Sequence, residues 1–381
     1  MKIVKFIMRI IGVTLVLALV AISVKYYLSP VRIIPYPYDI SFKPSSELSK
    51  EIELAQKAKV LIVGDRMGIE LNKNLKDLET KVQETLKTNI HFYNWSKENE
   101  SLARTIYKLK SLKKIPSIVI YHGASSEFYE KKFNLSDRST VFTNFKNYDN
   151  DKILSLLITF PELSRIIYLN DSQVSLKEKI TKNNIVLAEG EKVLAKDLTY
   201  KLFQYEMREM TEILKANNST LIIITPPINY ELPPNEVCQE VSTNSIIEIH
   251  QEANELLKNG DAKGAYALIK ELSNEVVGNA DTQHLLGQTA LKMGNFEEAR
   301  NALAMAVSFD CKPDRGDPVF NEIMKNEGKK TLAFIIDFDL MGKSLIGGEP
   351  FFLNDVFPHN LYYEKVNEEI LTTLKKILNI K

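Results

Sequence analysis

Five short apolar runs rich in β-branched residues, separated by helical patterns, constrain the fold of this chain more than any other feature. The runs cover residues 60–63, 90–93, 117–121, 221–225 and 332–336. The helical patterns cover residues 69–87, 98–113, 151–169, 190–217 and 361–379. Strands that alternate with helices lie parallel in one sheet, with helices on both faces. The sequence therefore predicts a three-layer α/β fold with a parallel sheet.

The carboxyl ends of the predicted strands indicate where to look for a functional site, because open α/β sheets bind their ligands there. Three of the loops at this edge follow Val63, Tyr121 and Thr225, and a fourth lies near residues 354–359. The candidate site residues are therefore expected in these four loops.

The N-terminal segment is apolar and begins with positive charge. Lys2, Lys5 and Arg9 precede residues 10–24, which carry no charge. This stretch is short for a membrane-spanning helix, which needs about 20 residues, but long for the apolar part of a signal peptide. The following Tyr26 is typical of the aromatic residues found at a membrane interface.

These features favour an uncleaved signal anchor that covers residues 1–28 and contacts the membrane through residues 6–28. The positive residues predict that the N-terminus stays in the cytoplasm, so the body is expected beyond the cytoplasmic membrane, in the periplasm. A cleaved signal peptide is the alternative, and it places the body in the same compartment. A Pro-rich linker over residues 29–50 is expected to connect the anchor to the body.

Composition argues against several classes of function. Lys and Arg total 49, as do Asp and Glu, so the formal net charge is zero and no nucleic-acid partner is expected. The sequence has no Gly-rich phosphate loop, dinucleotide fingerprint or metal-ligand cluster, so no cofactor and no metal are expected. The two cysteines, Cys238 and Cys311, lack the spacing of a zinc site, and the sequence leaves open whether they pair.

A 34-residue repeat interrupts the α/β pattern. Asn259-Gly260-Asp261 recurs as Met293-Gly294-Asn295, and Ala265 recurs as Ala299. This is the period of tetratricopeptide repeats, each of which is a pair of helices. A generic helical hairpin is the alternative interpretation.

The repeat predicts a helical insertion in the α/β domain. The insertion is expected at residues 239–310, between a first part of the domain at 51–238 and a last part at 311–381. Repeats of this kind offer a continuous surface to other proteins, so a protein partner is expected there.

Three short motifs resemble sequence blocks of the SGNH/GDSL hydrolases. Residues 60–63 followed by Gly64-Asp65 resemble the first block, Tyr121-His122-Gly123 resembles the third, and residues 354–358 resemble the last. The resemblance covers about residues 55–381 and is closest to extracytoplasmic members that carry a helical repeat insertion. It implies an SGNH-hydrolase-like, flavodoxin-like sheet and, for active relatives, action on acyl esters of envelope sugars or polymers.

The family's catalytic positions are substituted in this chain. Arg66 stands at the position of the nucleophilic serine, and a guanidinium is always protonated and cannot attack a carbonyl carbon. Ser125 replaces the asparagine that completes the oxyanion hole, and residues 93–97, which match the second block, contain no glycine. Asn354 and Phe357 stand at the aspartate and histidine positions, so no general base remains there.

These substitutions predict a pseudoenzyme that serves as a binding or scaffolding module at the cell envelope. The alternative is an active esterase or acyltransferase on acylated envelope glycans. Its catalytic set would be Ser125, Asp355 and His359, since a triad is defined by geometry and not by chain order.

The same loops contain candidates for ligand binding. Arg66 lies between a strand and a helix, where an anion is favoured, so an anionic or glycan ligand is expected. An internal ion pair from Arg66 to Asp65, Glu127 or Asp355 is the alternative. The candidate ligand-binding residues are Asp65, Arg66, Gly123, Glu127 and His359.

Overall fold

The computed structural model describes residues 2–28, 39–42, 48–130, 173–176, 189–238 and 244–378. The helix predicted at 151–169 and most of the Pro-rich linker lie outside these residues. The chain divides into two compact units, one formed by Met1–Ile40 with Ser139–Gln173 and the other by Ser41–Arg138 with Val174–Lys381.

In the first unit, a single long helix carries the apolar N-terminal segment. The helix, α1, covers Lys2–Leu28. Within it, Val4–Ala21 has a mean hydropathy of 2.2 and is not buried inside the protein. The segment is therefore long and apolar enough to cross a membrane, as predicted, and a signal sequence would have the same properties.

The second unit contains a five-stranded parallel sheet. The strands within the described residues are β1 (Asp39–Phe42), β2 (Val60–Gly64), β3 (Phe92–Asn94), β4 (Ile118–His122), β5 (Gln173–Leu176), β6 (Thr220–Ile224) and β7 (Phe334–Ile336). The main sheet has the order β3-β2-β4-β6-β7, whereas β1 and β5 pair with each other. Among the strands of the main sheet this order is 2-1-3-4-5, that of flavodoxin-like sheets. The predicted α/β fold with a parallel sheet is confirmed.

Helices cover both faces of the main sheet. In chain order, the helices that the structure describes after α1 are α2 (Leu48–Lys57), α3 (Arg66–Glu70), α4 (Leu75–Leu86), α5 (Leu102–Ser111), α6 (Glu189–Ala216), α7 (Asn244–Lys258), α8 (Ala262–Glu275), α9 (Ala280–Lys292), α10 (Phe296–Ser308), α11 (Pro318–Lys330), α12 (Phe338–Ser344) and α13 (Asn360–Ile377). Alternate residues of each strand pack on opposite layers. Leu61 and Val63 of β2 join a core with α5, α6 and α11, and Val60 and Ile62 join a core with α4 and α13.

The helix predicted at 69–87 is divided into three parts. Asp65 caps α3, a 3₁₀ turn covers Leu71–Asn74, and α4 follows. The side-chain amide of Asn74 donates to Asn360 Oδ1 over 2.8 Å, which ties this turn to the start of α13. The turn between α3 and α4 therefore contacts a residue 286 positions away along the chain.

The four helices α7 to α10 form two helical hairpins, and equivalent residues of the two hairpins have the same role. Gly260 and Gly294 both have positive φ, at +85° and +75°, where glycine is favoured. The following Asp261 and Asn295 each cap the next helix through a side-chain oxygen. The repeated triplet thus ends one helix and begins the next in both repeats.

Close helix crossing in the second repeat requires a small residue at position 287. A Cβ atom added to Gly287 would lie 2.5 Å from Leu303 Cγ, and 3.3 Å from the carbonyl oxygen of Ala299. The helices α9 and α10 therefore approach each other more closely than any side chain at this position would allow.

Replacement of Gly287 by alanine should destabilise the repeats, although alanine is normally the better helix former. The new methyl group would have to displace Leu303, at an expected cost of about 1–3 kcal/mol in the free energy of unfolding. Urea unfolding of the Gly287→Ala protein measures this cost. Gly190→Ala is the matched control, because nothing lies within 4 Å of a Cβ atom there. A Gly287→Ala protein as stable as this control would contradict the close crossing.

Candidate functional site

The crevice at the carboxyl edge of the sheet lies where the strand order reverses. The first strand of the sheet, β2, has β3 on one side and β4 on the other. Chain connections leave such a point in opposite directions and open a crevice that binds ligands in doubly wound proteins. Asp65 and Arg66 follow β2 at this point, and Gly123 to Ser125 follow β4.

The ends of β2 and β4 are in direct backbone contact. Gly64 has φ +144°, and a Cβ atom there would lie 2.0 Å from the carbonyl oxygen of His122. One turn later, a Cβ atom on Gly68 would lie 2.2 Å from Ser96 Oγ. Only glycine fits at these two positions, so the turn after β2 is fixed closely against the neighbouring strand ends.

Asp65 connects the two strand ends through its side chain. The carboxylate is fully buried. Its Oδ1 accepts from the N–H of Met67 over 2.9 Å, whereas Oδ2 accepts from the N–H and the hydroxyl of Ser125 over 2.7 and 2.8 Å. Burial raises the pKa of Asp65, against the opposing effects of these hydrogen bonds and the charge of Arg66.

The guanidinium of Arg66 binds the loop after β4 and a distant segment of the chain. Its Nε donates to Ser125 Oγ over 3.1 Å, and its Nη2 donates to the carbonyl oxygens of Ser125 and Asp314. The guanidinium carbon also lies 5.5 Å from the ring centre of Tyr129. Hydrogen bonds to a hydroxyl and two carbonyl groups thus hold the Arg66 side chain in place.

Gly123 and Glu127 have local roles in the loop after β4. A Cβ atom on Gly123 would lie 3.0 Å from the ring of Tyr121, and the next residue, Ala124, has the unusual φ of +75°. The carboxylate of Glu127 accepts from the N–H of Leu102 over 2.8 Å, at the start of α5. The conformation of this loop therefore depends on its own packing and on α5.

The residues of the last motif lie near the start of α13. Asn354 is exposed, and its side-chain oxygen accepts from the N–H of Phe357 over 2.8 Å. Asp355 is exposed, whereas Phe357 and His359 are half-buried. His359 precedes α13, but its side chain makes no capping hydrogen bond there. Within the described residues, no hydrogen bond joins Ser125, Asp355 and His359 to one another.

His122 and Asp339 are two buried titratable groups at this edge that the sequence did not single out as site residues. Burial lowers the pKa of His122 to about 4, and its Nδ1 lies 3.0 Å from the carbonyl oxygen of Ile224. Burial raises the pKa of Asp339 to about 6. The Asp339 carboxylate accepts from the N–H of Ile228 and the hydroxyl of Tyr230. The sequence could have indicated Asp339 through its position just after β7, because the end of that strand belongs to the carboxyl edge of the sheet.

The insertion enters and leaves the α/β domain at one junction. Cys238 and Cys311, whose pairing the sequence left open, form a disulfide with their Cα atoms 4.9 Å apart. Beside it, Val237 and Asp310 form an antiparallel bridge, and the N–H of Cys311 donates to Glu236 O over 2.7 Å. The junction continues directly into Asp314, which accepts from Arg66.

The comparisons with known proteins identify the repeats. A family model described as tetratricopeptide repeat matches residues 256–311. This match confirms the predicted repeat type. The chain matches no curated protein and no solved structure. The resemblance to SGNH/GDSL hydrolases therefore stays a prediction from the short motifs.

We expect the two buried groups to give opposite pH dependences of stability. Asp339 binds its proton in the folded protein up to about pH 6 but in the unfolded chain only up to about 3.8, so its contribution to stability falls as pH rises between these values. The pKa of His122 is about 4 in the folded protein and 6.5 in the unfolded chain. Its contribution to stability is therefore present above pH 6.5 and is lost as pH falls towards 4. Each effect is on the order of 3 kcal/mol.

Urea unfolding of the Asp339→Asn and His122→Asn proteins from pH 4 to 6.5 tests both contributions. As pH rises, Asp339→Asn should become more stable relative to the wild type, whereas His122→Asn should become less stable relative to the wild type. Each variant is the control for the other, because both replace one titratable group with asparagine at the same edge. If the free energy of unfolding changed with pH by the same amount in all three proteins, the burial of these groups would be contradicted.

We expect the disulfide to stabilise the folded protein by restricting the unfolded chain. The bridge closes a loop of 73 residues, for which the chain-entropy relation gives about 4 kcal/mol. A Cys238→Ser/Cys311→Ser protein should unfold at lower urea concentration by this amount. Reduced wild type is the matched control and should lose the same stability, whereas reductant should not affect the variant. Unchanged stability of the variant would contradict the prediction.

Proposed function

We propose that the chain is a membrane-anchored, extracytoplasmic pseudoenzyme with an SGNH-hydrolase-like body, which acts as a scaffold at the cell envelope. The observation that carries the proposal is the arrangement of Arg66. At the position of the family's nucleophile, a guanidinium is hydrogen-bonded to Ser125 and Asp314. A permanently protonated group in this place binds neighbouring oxygen atoms and attacks no ester.

The remaining groups of the crevice are also engaged in internal hydrogen bonds. Ser125 is only 3% exposed, and its hydroxyl lies between the Asp65 carboxylate and the Arg66 guanidinium. The N–H of Ser125 donates to Asp65, and the N–H of Lys97 donates to the carbonyl oxygen of Gly64. These donors lie in the blocks that form the oxyanion hole in the resembled family. Their internal bonds support a body that does not stabilise an oxyanion.

The apolar helix and the disulfide together support a location outside the cytoplasm. Lys2–Leu28 includes a segment long enough to cross a membrane, with positive residues at its start. Cys238 and Cys311 pair in the folded chain, and structural disulfides persist in oxidising compartments such as the periplasm. A body held beyond the membrane by α1 explains both features.

The tetratricopeptide repeats supply the binding part of the proposed scaffold. The tetratricopeptide-repeat family model matches residues 256–311, and stacked helical repeats present extended surfaces to partner proteins. The crevice around Arg66 offers a second site. One edge of the guanidinium is engaged by Ser125 and Asp314, and a carboxylate or sulfate of an envelope glycan has the charge to bind the half-buried group.

Ester turnover by the full-length protein tests the proposal. The wild type and the Arg66→Ser protein should both leave an aryl acetate unhydrolysed above the buffer rate, because serine alone restores neither the base nor the oxyanion donors. His359→Ala is the matched variant, since it removes the imidazole of the alternative catalytic set. Robust turnover by Arg66→Ser, or wild-type turnover that His359→Ala abolishes, would favour an active hydrolase instead.

A further inference from the structure

A groove in the repeats lies outside the Arg66 crevice and has the features of a binding site. It has a volume of about 480 Å³ and lies between α8 and α10, with α9 at its base. Leu286 and Ala302, at 4% and 3% exposed, form its apolar floor. The rim residues Val277 and Asn301 are exposed to solvent. A groove with a buried apolar floor and an open rim accommodates an apolar side chain of a partner.

Side-chain amides on both sides of the groove favour a ligand with an exposed peptide backbone. Asn274 of α8 and Asn301 of α10 are exposed on opposite sides, whereas Gln283 of α9 lies at the base and its Nε2 donates to the carbonyl oxygen of Val277 over 3.2 Å. An amide side chain offers both donors and an acceptor, which match the N–H and C=O groups of an extended chain. A helix uses these backbone groups internally, so it leaves such amides without partners.

The charge of the groove favours a cationic ligand. Glu298 accepts from the hydroxyl of Tyr266, the ammonium of Lys270 and the amide of Asn295, so its charge is largely compensated. Glu297 lies exposed on the rim. In the part of the chain that the structure describes, no cation forms a salt bridge with it.

The repeat helices as a whole carry the same sign of charge. Residues 244–308 contain nine Asp and Glu against five Lys and Arg, a net charge of −4, whereas the complete chain is neutral. The remaining residues therefore carry the balancing +4. An acidic surface on an otherwise balanced chain attracts and orients a basic partner.

We propose that the groove between α8 and α10 binds an extended segment of a partner protein in which an apolar residue alternates with lysine or arginine. The apolar side chain occupies the floor at Leu286 and Ala302, the amides of Asn274 and Asn301 bind its backbone, and Glu297 pairs with the neighbouring cation. This inference rests on the proposed scaffold function and specifies the chemistry of its partner.

Fluorescence anisotropy with the full-length protein in nanodiscs of zwitterionic lipid tests this assignment. The probe is a dye-labelled peptide Gly-Ser-Leu-Lys-Val-Lys-Ser-Gly, compared with the same peptide carrying glutamate in place of lysine. Empty nanodiscs give the background. The basic peptide should bind, and the acidic peptide should bind at least about tenfold more weakly, a difference of about 1.4 kcal/mol.

Variants on the rim distinguish the groove from the general charge of the repeats. Glu297→Lys should weaken binding of the basic peptide about tenfold, and Asn301→Ala should weaken it severalfold. Glu271→Lys is the matched control, because it makes the same charge change at an exposed position of α8 outside the groove. It should alter the affinity less than about twofold.

Equal binding of the two peptides, no binding of either, or equal weakening by Glu271→Lys and Glu297→Lys would overturn the assignment. None of these results changes the expected absence of ester turnover, which is measured separately. Failure of this inference is therefore distinguishable from failure of the proposed function.

Discussion

The carboxylate of Asp65 fixes the geometry on which the crevice depends. It is buried, caps the helix that follows β2 and accepts two hydrogen bonds from Ser125 after β4. A buried carboxylate is costly unless several donors compensate it, so these bonds hold the two strand ends in one arrangement. The position of Arg66 follows from this arrangement, because its guanidinium binds the same Ser125.

Much of the fold was predictable because its causes are local. The five strands of the main sheet were predicted within two residues, since strands buried on both faces are continuous apolar runs. The repeats were predictable from the 34-residue period, because Gly260 and Gly294 meet the same local requirement for positive φ. The sequence is informative wherever a residue type satisfies a requirement of its own backbone or of its sheet.

The remaining features depend on distant contacts and were not predictable. The 3₁₀ turn before α4 is hydrogen-bonded to Asn360, and the guanidinium of Arg66 donates to Asp314, a residue 248 positions away. The sequence predicts that Arg66 binds an anionic ligand or forms an ion pair with a carboxylate, whereas the structure shows hydrogen bonds to a hydroxyl and to carbonyl groups. Charge alone suggested acidic partners, and only the packing of the loop after β4 shows which oxygen atoms lie within reach.

The junction at Cys238 and Cys311 has a consequence for the architecture as a whole. The two cysteine Cα atoms are 4.9 Å apart, so the chain leaves the α/β domain and returns to it at nearly the same point. A segment whose ends already meet imposes little geometric demand on the sheet, whatever its length. Gene rearrangement can therefore lengthen, shorten or exchange this segment while the sheet keeps its packing, so the repeats can change independently of the α/β core.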